Sequence, residues 1–209
     1  MISMGGSSRQ SLATLRAALD KALNGASSGD CSNLSIDLFN ALGALETSAG
    51  LRRALTDPAR DATSKSALVT NLFGSNIKAA ALALISTAAG LRWSAPADLA
   101  DAIEQLAVES EAAAANAENK LDNVQNELFT FAKTLISNPD LRAALANPSD
   151  TSARKNELIK NIFGSKVSSS TSKLLSQIVS GRSGRSLEKT LAAHTHAVTS
   201  RRKIGRAHV

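Results

Sequence analysis

LRRALTDPARDATSKSALVTNLFGS, running from Leu51 to Ser75, returns 90 residues later as LRAALANPSDTSARKNELIKNIFGS, Leu141 to Ser165. Extended without a gap, Leu38–Lys78 against Leu128–Ser168 gives 14 identities in 41 positions, where chance from this composition would give about three. Lys65 meets Lys155, Leu38-Phe39 meets Leu128-Phe129, and Phe73-Gly74-Ser75 meets Phe163-Gly164-Ser165. Four of the five Phe fall in these matched pairs, which predicts that they are buried anchors of a shared core. The chain reads as a tandem duplication, each copy large enough to close its own core.

Outward from these stretches the pattern is helix after helix. Leu34, Leu38, Leu42 and Leu45 recur at spacings of three and four, as do Leu121, Val124, Leu128, Phe131 and Leu135. Pro58 and Pro148 each stop a short helix, because proline disfavours helical geometry in the residue before it. Asp61 and Asp150-Thr151 can cap the next helix, which is expected to end at Gly74 or Gly164 as a left-handed C-cap with positive φ. Apolar helices follow at Ala79–Leu91 and Ser170–Val179. A long helix then opens at Ser94-Ala95-Pro96, and another after Ser186. The first copy also owns a helix from Ser11 to Leu23; its counterpart is Ile103–Asn119, continuous with the helix before it and expected to couple the copies.

Composition agrees. Of 209 residues 43% are hydrophobic but only 3% aromatic, with no Tyr and four Pro. An all-β fold wants β-branched and aromatic residues between regular turns, and a disordered chain carries fewer large apolar residues. The expectation is all-α: two tandem six-helix bundles, residues 1–110 and 111–203. The lone Cys31 excludes an internal disulfide and reads as a free thiol in a reducing compartment. Residues 1–20 have no apolar signal core, and the longest apolar run, Ala79–Leu91, falls short of the roughly 20 residues that span a bilayer.

The formal net charge of +6 invites a nucleic-acid reading, but its distribution opposes one. Up to Gly181 there are 17 basic and 17 acidic residues, so the excess lies in the tail, which has no aromatic platform among its cations. The last six residues, IGRAHV from Ile204 to Val209, match the translation of a common sequencing-adaptor oligonucleotide. They are expected to be non-native, with the natural chain continuing past them, and Lys203 is doubtful with them. Arg206 and His208 therefore carry no functional argument.

No catalytic constellation emerges, and no metal or cofactor site. His194 and His196, two apart, point about 160–200° away from each other on a helix and cannot share a metal; they read as exposed histidines. GRSGRS at Gly181–Ser186 follows a helix and lacks a Lys-Ser/Thr ending, so it reads as a helix-to-helix turn, not a phosphate cradle. Glu104, Glu109, Glu111 and Glu118 read as a solvated face, and Arg52/Arg142 with Lys65/Lys155 as basic side chains beside helix ends.

The ordered set LFxxxxxL…LRxAL…P…K…LxxNLFGS, present twice, resembles the delta subunit family of the rotary F-type ATP synthase, which includes the oligomycin-sensitivity-conferring protein. SSRQSLATLRAALDKAL, RWSAPADLADAIEQLAVE and GRSLEKTLAAHTHAVTSRR are similar to the longer, duplicated delta subunits of high-GC Gram-positive bacteria, and the resemblance covers about Gly6 to Arg202. It implies a non-catalytic stator subunit of the peripheral stalk, without cofactor, metal or nucleic acid. Its implied partners are the alpha subunits' N-terminal helices and the b-type stalk subunit. Its implied place is the cytoplasmic face of the plasma membrane, which it meets only through the complex. A strand-containing C-terminal domain seen in the family would be missing. The family's groove between first and fifth helices maps to Leu12, Leu15, Leu19, Leu82 and Ile85, and in the second copy to Leu106, Val108, Leu174, Leu175 and Ile178. The competing reading is a helical-repeat adaptor, which would normally need three or more shorter repeats.

Overall fold

The computed structural model describes residues 4–182 and 184–207, with side chains as far as Arg201. Among them are eleven helices and no strand; one isolated bridge pairs Arg182 with Arg185. The chain divides into two compact units, one reaching Ser110 and one beginning at Glu111.

The first unit holds α1 (Gly6–Leu23), α2 (Ser28–Thr47), α3 (Ala49–Thr56), α4 (Ala62–Phe73), α5 (Ala79–Gly90) and the first part of α6 (Pro96–Ala117). Side-chain oxygens answer the orphan N–H groups at several helix starts. Ser27 accepts from Asp30 N at 3.1 Å, Ser48 from Leu51 N at 3.1 Å, and Asp61 from Ser64 N at 2.8 Å. Helix α3 stops because Asp57, preceding Pro58, takes φ −61° and ψ 117°. Helix α5 lacks a local cap. Its Lys78 N donates to the Asp37 carboxylate at 2.9 Å, reaching across from α2. Arg52 Nη1 donates to the Leu45 and Glu46 carbonyls in the last turn of α2, as a cation beside a helix end should.

The second unit holds the rest of α6, then α7 (Leu121–Ser137), α8 (Pro139–Ala146), α9 (Ser152–Phe163), α10 (Ser169–Ser180) and α11 (Leu187–Ala207). Helices α3, α4 and α5 recur as α8, α9 and α10 with both ends 90 residues on. Thr151 caps α9, and Ser186 accepts from Lys189 N at 3.3 Å to start α11. Glu127 of α7 takes the role of Asp37, accepting Ser168 N at 3.1 Å at the head of α10. Gly181 (φ 73°) and Gly184 (φ 75°) turn the chain between α10 and α11, as expected for that stretch. The supposed adaptor tail begins inside the backbone of α11; its side chains, and all of His208 and Val209, lie outside the described residues.

Four expectations are corrected. Gly74 and Gly164 are not left-handed: their φ values are −58° and −54°. Glycine is needed there for space, since a Cβ would lie 2.5 Å from Thr70 O or Lys160 O. Phe129 is no core anchor but 58% exposed, because Phe131 occupies the inward face of α7 and the two point in nearly opposite directions. Glu104, Glu109 and Glu111 are buried, and only Glu118 is solvated. His194 is buried while His196 is exposed, the outcome of their two-residue spacing on α11. Cys31 forms no disulfide and is buried in the first turn of α2.

Candidate partner-helix groove

Helix α1 buries Ser8, Ser11, Leu15, Leu19 and Leu23, a stripe at spacings of three and four. Two serines at its head are structural. Ser8 Oγ donates to Asp98 Oδ2 at 2.6 Å and accepts Ser94 N at 2.7 Å, while Ser11 Oγ donates to Arg92 O at 2.6 Å. These bonds pin the N-terminal half of α1 beside the residues that follow α5. At the opposite end, Ala22 of α1 and Ala80 of α5 line one cavity. The two helices therefore pack antiparallel, α1 pointing toward the start of α5.

A deeper tie comes from Arg16. Its Nε and Nη2 donate to Glu109 Oε1 at 2.9 and 2.6 Å, and Gln105 Nε2 donates to the same oxygen at 3.1 Å. The Glu109 side chain is 1% exposed against 30% for Arg16. Three donors satisfy Oε1; Oε2 is buried without a hydrogen bond among the described residues. In the second unit Lys173 of α10 reaches the buried Glu111 at 3.4 Å. These acids hold helices in place.

The ten residues expected to line the two grooves divide by burial. Leu12 and Leu82 are half-buried, and Leu15, Leu19 and Ile85 are closed off from solvent. Leu174, Leu175 and Ile178 of α10 are likewise buried. Leu106 and Val108 are buried in α6 on the first unit's side of the division, so the structure does not group them with the α10 set in one unit. The cavity at the open end of the seam holds about 320 Å³ between Ala22, Gly25, Asp30, Leu34, Lys78 and Ala80. Its apolar floor and polar rim suit an amphipathic helix better than a small charged substrate. Among the described residues no group of three or more His, Cys, Asp or Glu is placed to hold a metal ion. No helix among them is long and apolar enough to cross a membrane.

Sequence reasoning missed Arg16–Glu109 and the Asp37 and Glu127 caps. Their partners lie 93, 41 and 41 residues apart, so no local spacing signals them.

Residues 108–209 match the family model described as ATP synthase delta (OSCP) subunit. The chain is 39% identical over 202 residues to the ATP synthase subunit delta of Streptomyces coelicolor, covering 97% of this chain and 73% of that protein. It is 38% identical over 197 residues to the Streptomyces avermitilis subunit, covering 94% and 72%. To the Thermobifida fusca subunit it is 36% identical over 200 residues, covering 96% and 73%. These matches run through both helical units, and the chain accordingly belongs to the ATP synthase delta (OSCP) subunit family, a peripheral-stalk component of that enzyme.

Proposed function

We propose that the chain works as a non-catalytic stator, receiving an N-terminal helix of an alpha subunit along the α1–α5 seam. A second such helix would meet the α10 side of the second unit, and the b-type stalk subunit would be the other partner, at the cytoplasmic face of the plasma membrane. The observation that carries this reading is the seam itself. Leu12 on α1 and Leu82 on α5 keep accessible surface while Leu15, Leu19 and Ile85 of the same helices are buried, a division that an apolar helix-in-groove site asks for. Leu12 and Leu82 are then the contacting side chains.

A stator does no chemistry. It must resist torque, which asks for stiff close-packed bundles and for partners that leave slowly compared with rotation. The buried Arg16–Glu109 tie and the serine bonds at the head of α1 serve that end by fixing one wall of the seam.

The test is a titration of the full chain with a labelled synthetic peptide spanning an alpha-subunit N-terminal helix, read by fluorescence anisotropy. Saturable binding that weakens about ten-fold or more in Leu12→Asp or Leu82→Asp is expected, the size of a lost central apolar anchor. Unchanged affinity in both variants would remove α1–α5 as the site.

A further inference from the structure

The first unit carries a second concavity of about 440 Å³, lined by Arg53, Asp57, Pro58, Arg60, Trp93 and Pro96 among others and by none of the ten groove residues. Its size is that of a small ligand or a few peptide side chains. Its walls are held in place. Trp93 Nε1 donates to Ala88 O at 2.9 Å, fixing the indole, and Asp57 Oδ1 accepts Ala59 N at 2.9 Å, fixing the turn that ends α3. Neither Arg53 nor Arg60 has an ion-pair partner among the described residues. Two guanidinium groups therefore share the hollow with one carboxylate already engaged by a backbone N–H.

The second copy is an internal control. Ninety residues on, the turn survives as Asn147-Pro148, with Ser149 N donating to Asn147 Oδ1 at 3.0 Å. In sequence the cations and the indole do not survive: Ala143, Asp150 and Ser183 align with Arg53, Arg60 and Trp93 at the 90-residue offset, Ser183 lying outside the described residues. The turn after α8 is thus made without the two cations, so making that turn does not account for Arg53 and Arg60.

We infer that this hollow binds a carboxylate-bearing segment of a partner polypeptide, an Asp or Glu flanked by apolar residues. Guanidinium forks match a carboxylate in two-point contact. Fixed indole and proline faces supply apolar area at little entropic cost, the Trp and Arg combination common at binding hot spots. Asp57 in the wall opposes a dianionic phosphate more than a monoanionic carboxylate. None of the ten groove residues lines the site, which stands independently of the α1–α5 reading.

Because Trp93 is the only Trp and lines this hollow, its emission reports on it. The full chain would be titrated with acetyl-Leu-Glu-Leu-Glu-Leu-amide, with its Gln counterpart, and with inorganic phosphate. A saturable change with the acidic peptide is expected, about ten-fold tighter than with either other probe, and weakened about ten-fold in the Arg53→Gln/Arg60→Gln double variant. Should that variant misfold by circular dichroism, the comparison of peptides on the unaltered chain decides alone. An absent response, equal titration by the Gln peptide, or equal titration by phosphate overturns the inference, the last by marking a general anion site. Leu82→Asp should leave the titration unchanged; its loss there would merge this hollow with the seam and overturn the inference while leaving the stator proposal standing.

Discussion

Phe131 of α7 and Phe163 of α9 meet edge to face, ring centroids 5.3 Å apart and planes at 77°. This contact replaces the one that the repeat predicts. The residue aligned with Phe39 is Phe129, yet Phe129 lies on the outer face of α7 with Lys133 Nζ 4.7 Å from its ring centre. Phe131 stands where the first copy has Ala41. The two copies thus fill their cores with different residues while keeping helix boundaries in register, as cores tolerate when volume and patterning are kept.

Phe131→Ala should accordingly cost about 3–5 kcal/mol, the range for emptying a buried aromatic site. Phe129→Ala should stay within about 0.5 kcal/mol, since it removes little buried surface. Urea unfolding of the two variants, followed by circular dichroism, checks the contrast; equal losses would put Phe129 in the core.

Glycine at the ends of α4 and α9 serves space, and this gives substitutions of opposite sign. Gly74→Ala or Gly164→Ala forces a Cβ to 2.5 Å from a backbone oxygen four residues earlier, and should destabilise by about 1–3 kcal/mol as the helix end shifts. Gly43→Ala, on the exposed side of α2 with nothing within 4 Å of its Cβ, should stabilise by about 0.5–1 kcal/mol. Melting temperatures of the three variants, measured side by side, test both signs.

What could be read ahead of the structure was local. Asp61, Thr151 and Ser186 cap the helices that their spacing predicts, and Pro58 and Pro148 end the helices before them. Both signals act within four residues. The glutamates of α6 could not be read, because a charged residue on an Ala-rich helix looks solvated until its partner is known. Glu109 finds Arg16 on α1, and Glu111 finds Lys173 on α10. The ten groove residues are mapped by position from the family resemblance, because in sequence a groove Leu and a core Leu look alike. Which leucines keep surface depends on neighbouring helices, and only Leu12 and Leu82 among the ten do.

The caps also set an acid limit. Ser64 donates its backbone N–H and its hydroxyl to Asp61, which holds that carboxyl below its ordinary value of 3.8; the Ser27 hydroxyl does the same for Asp30. A pKa depressed by folding contributes stability that is whole above the unfolded value and disappears as pH falls through the folded one. Asp61→Asn keeps a capping oxygen but cannot titrate. It should be less stable than the unaltered chain at about pH 6, with the gap narrowing at a pH below the ordinary 3.8 as the lowered folded value is passed. Urea midpoints at the two pH values measure it, and a gap independent of pH would assign the cap no ionic part.

The Arg16–Glu109 pair gives the sharpest test of how α1 is held. Glu109 is shut away from water, and three hydrogen bonds on Oε1 compensate its charge. Arg16→Met removes two of them and strands the carboxylate. Losing one partner of a fully buried pair costs about 3–5 kcal/mol, and the partial exposure of Arg16 brings the expectation to about 2–3 kcal/mol. Glu109→Leu alone leaves a guanidinium that can turn to solvent, and should cost less. The double variant Arg16→Met/Glu109→Leu removes both charges and supplies apolar volume, so it should be more stable than Arg16→Met alone. Urea unfolding of the four proteins closes the cycle. A double variant whose losses simply add would mean that the two side chains do not act as a pair, and that the serine bonds of Ser8 and Ser11 hold α1 on their own.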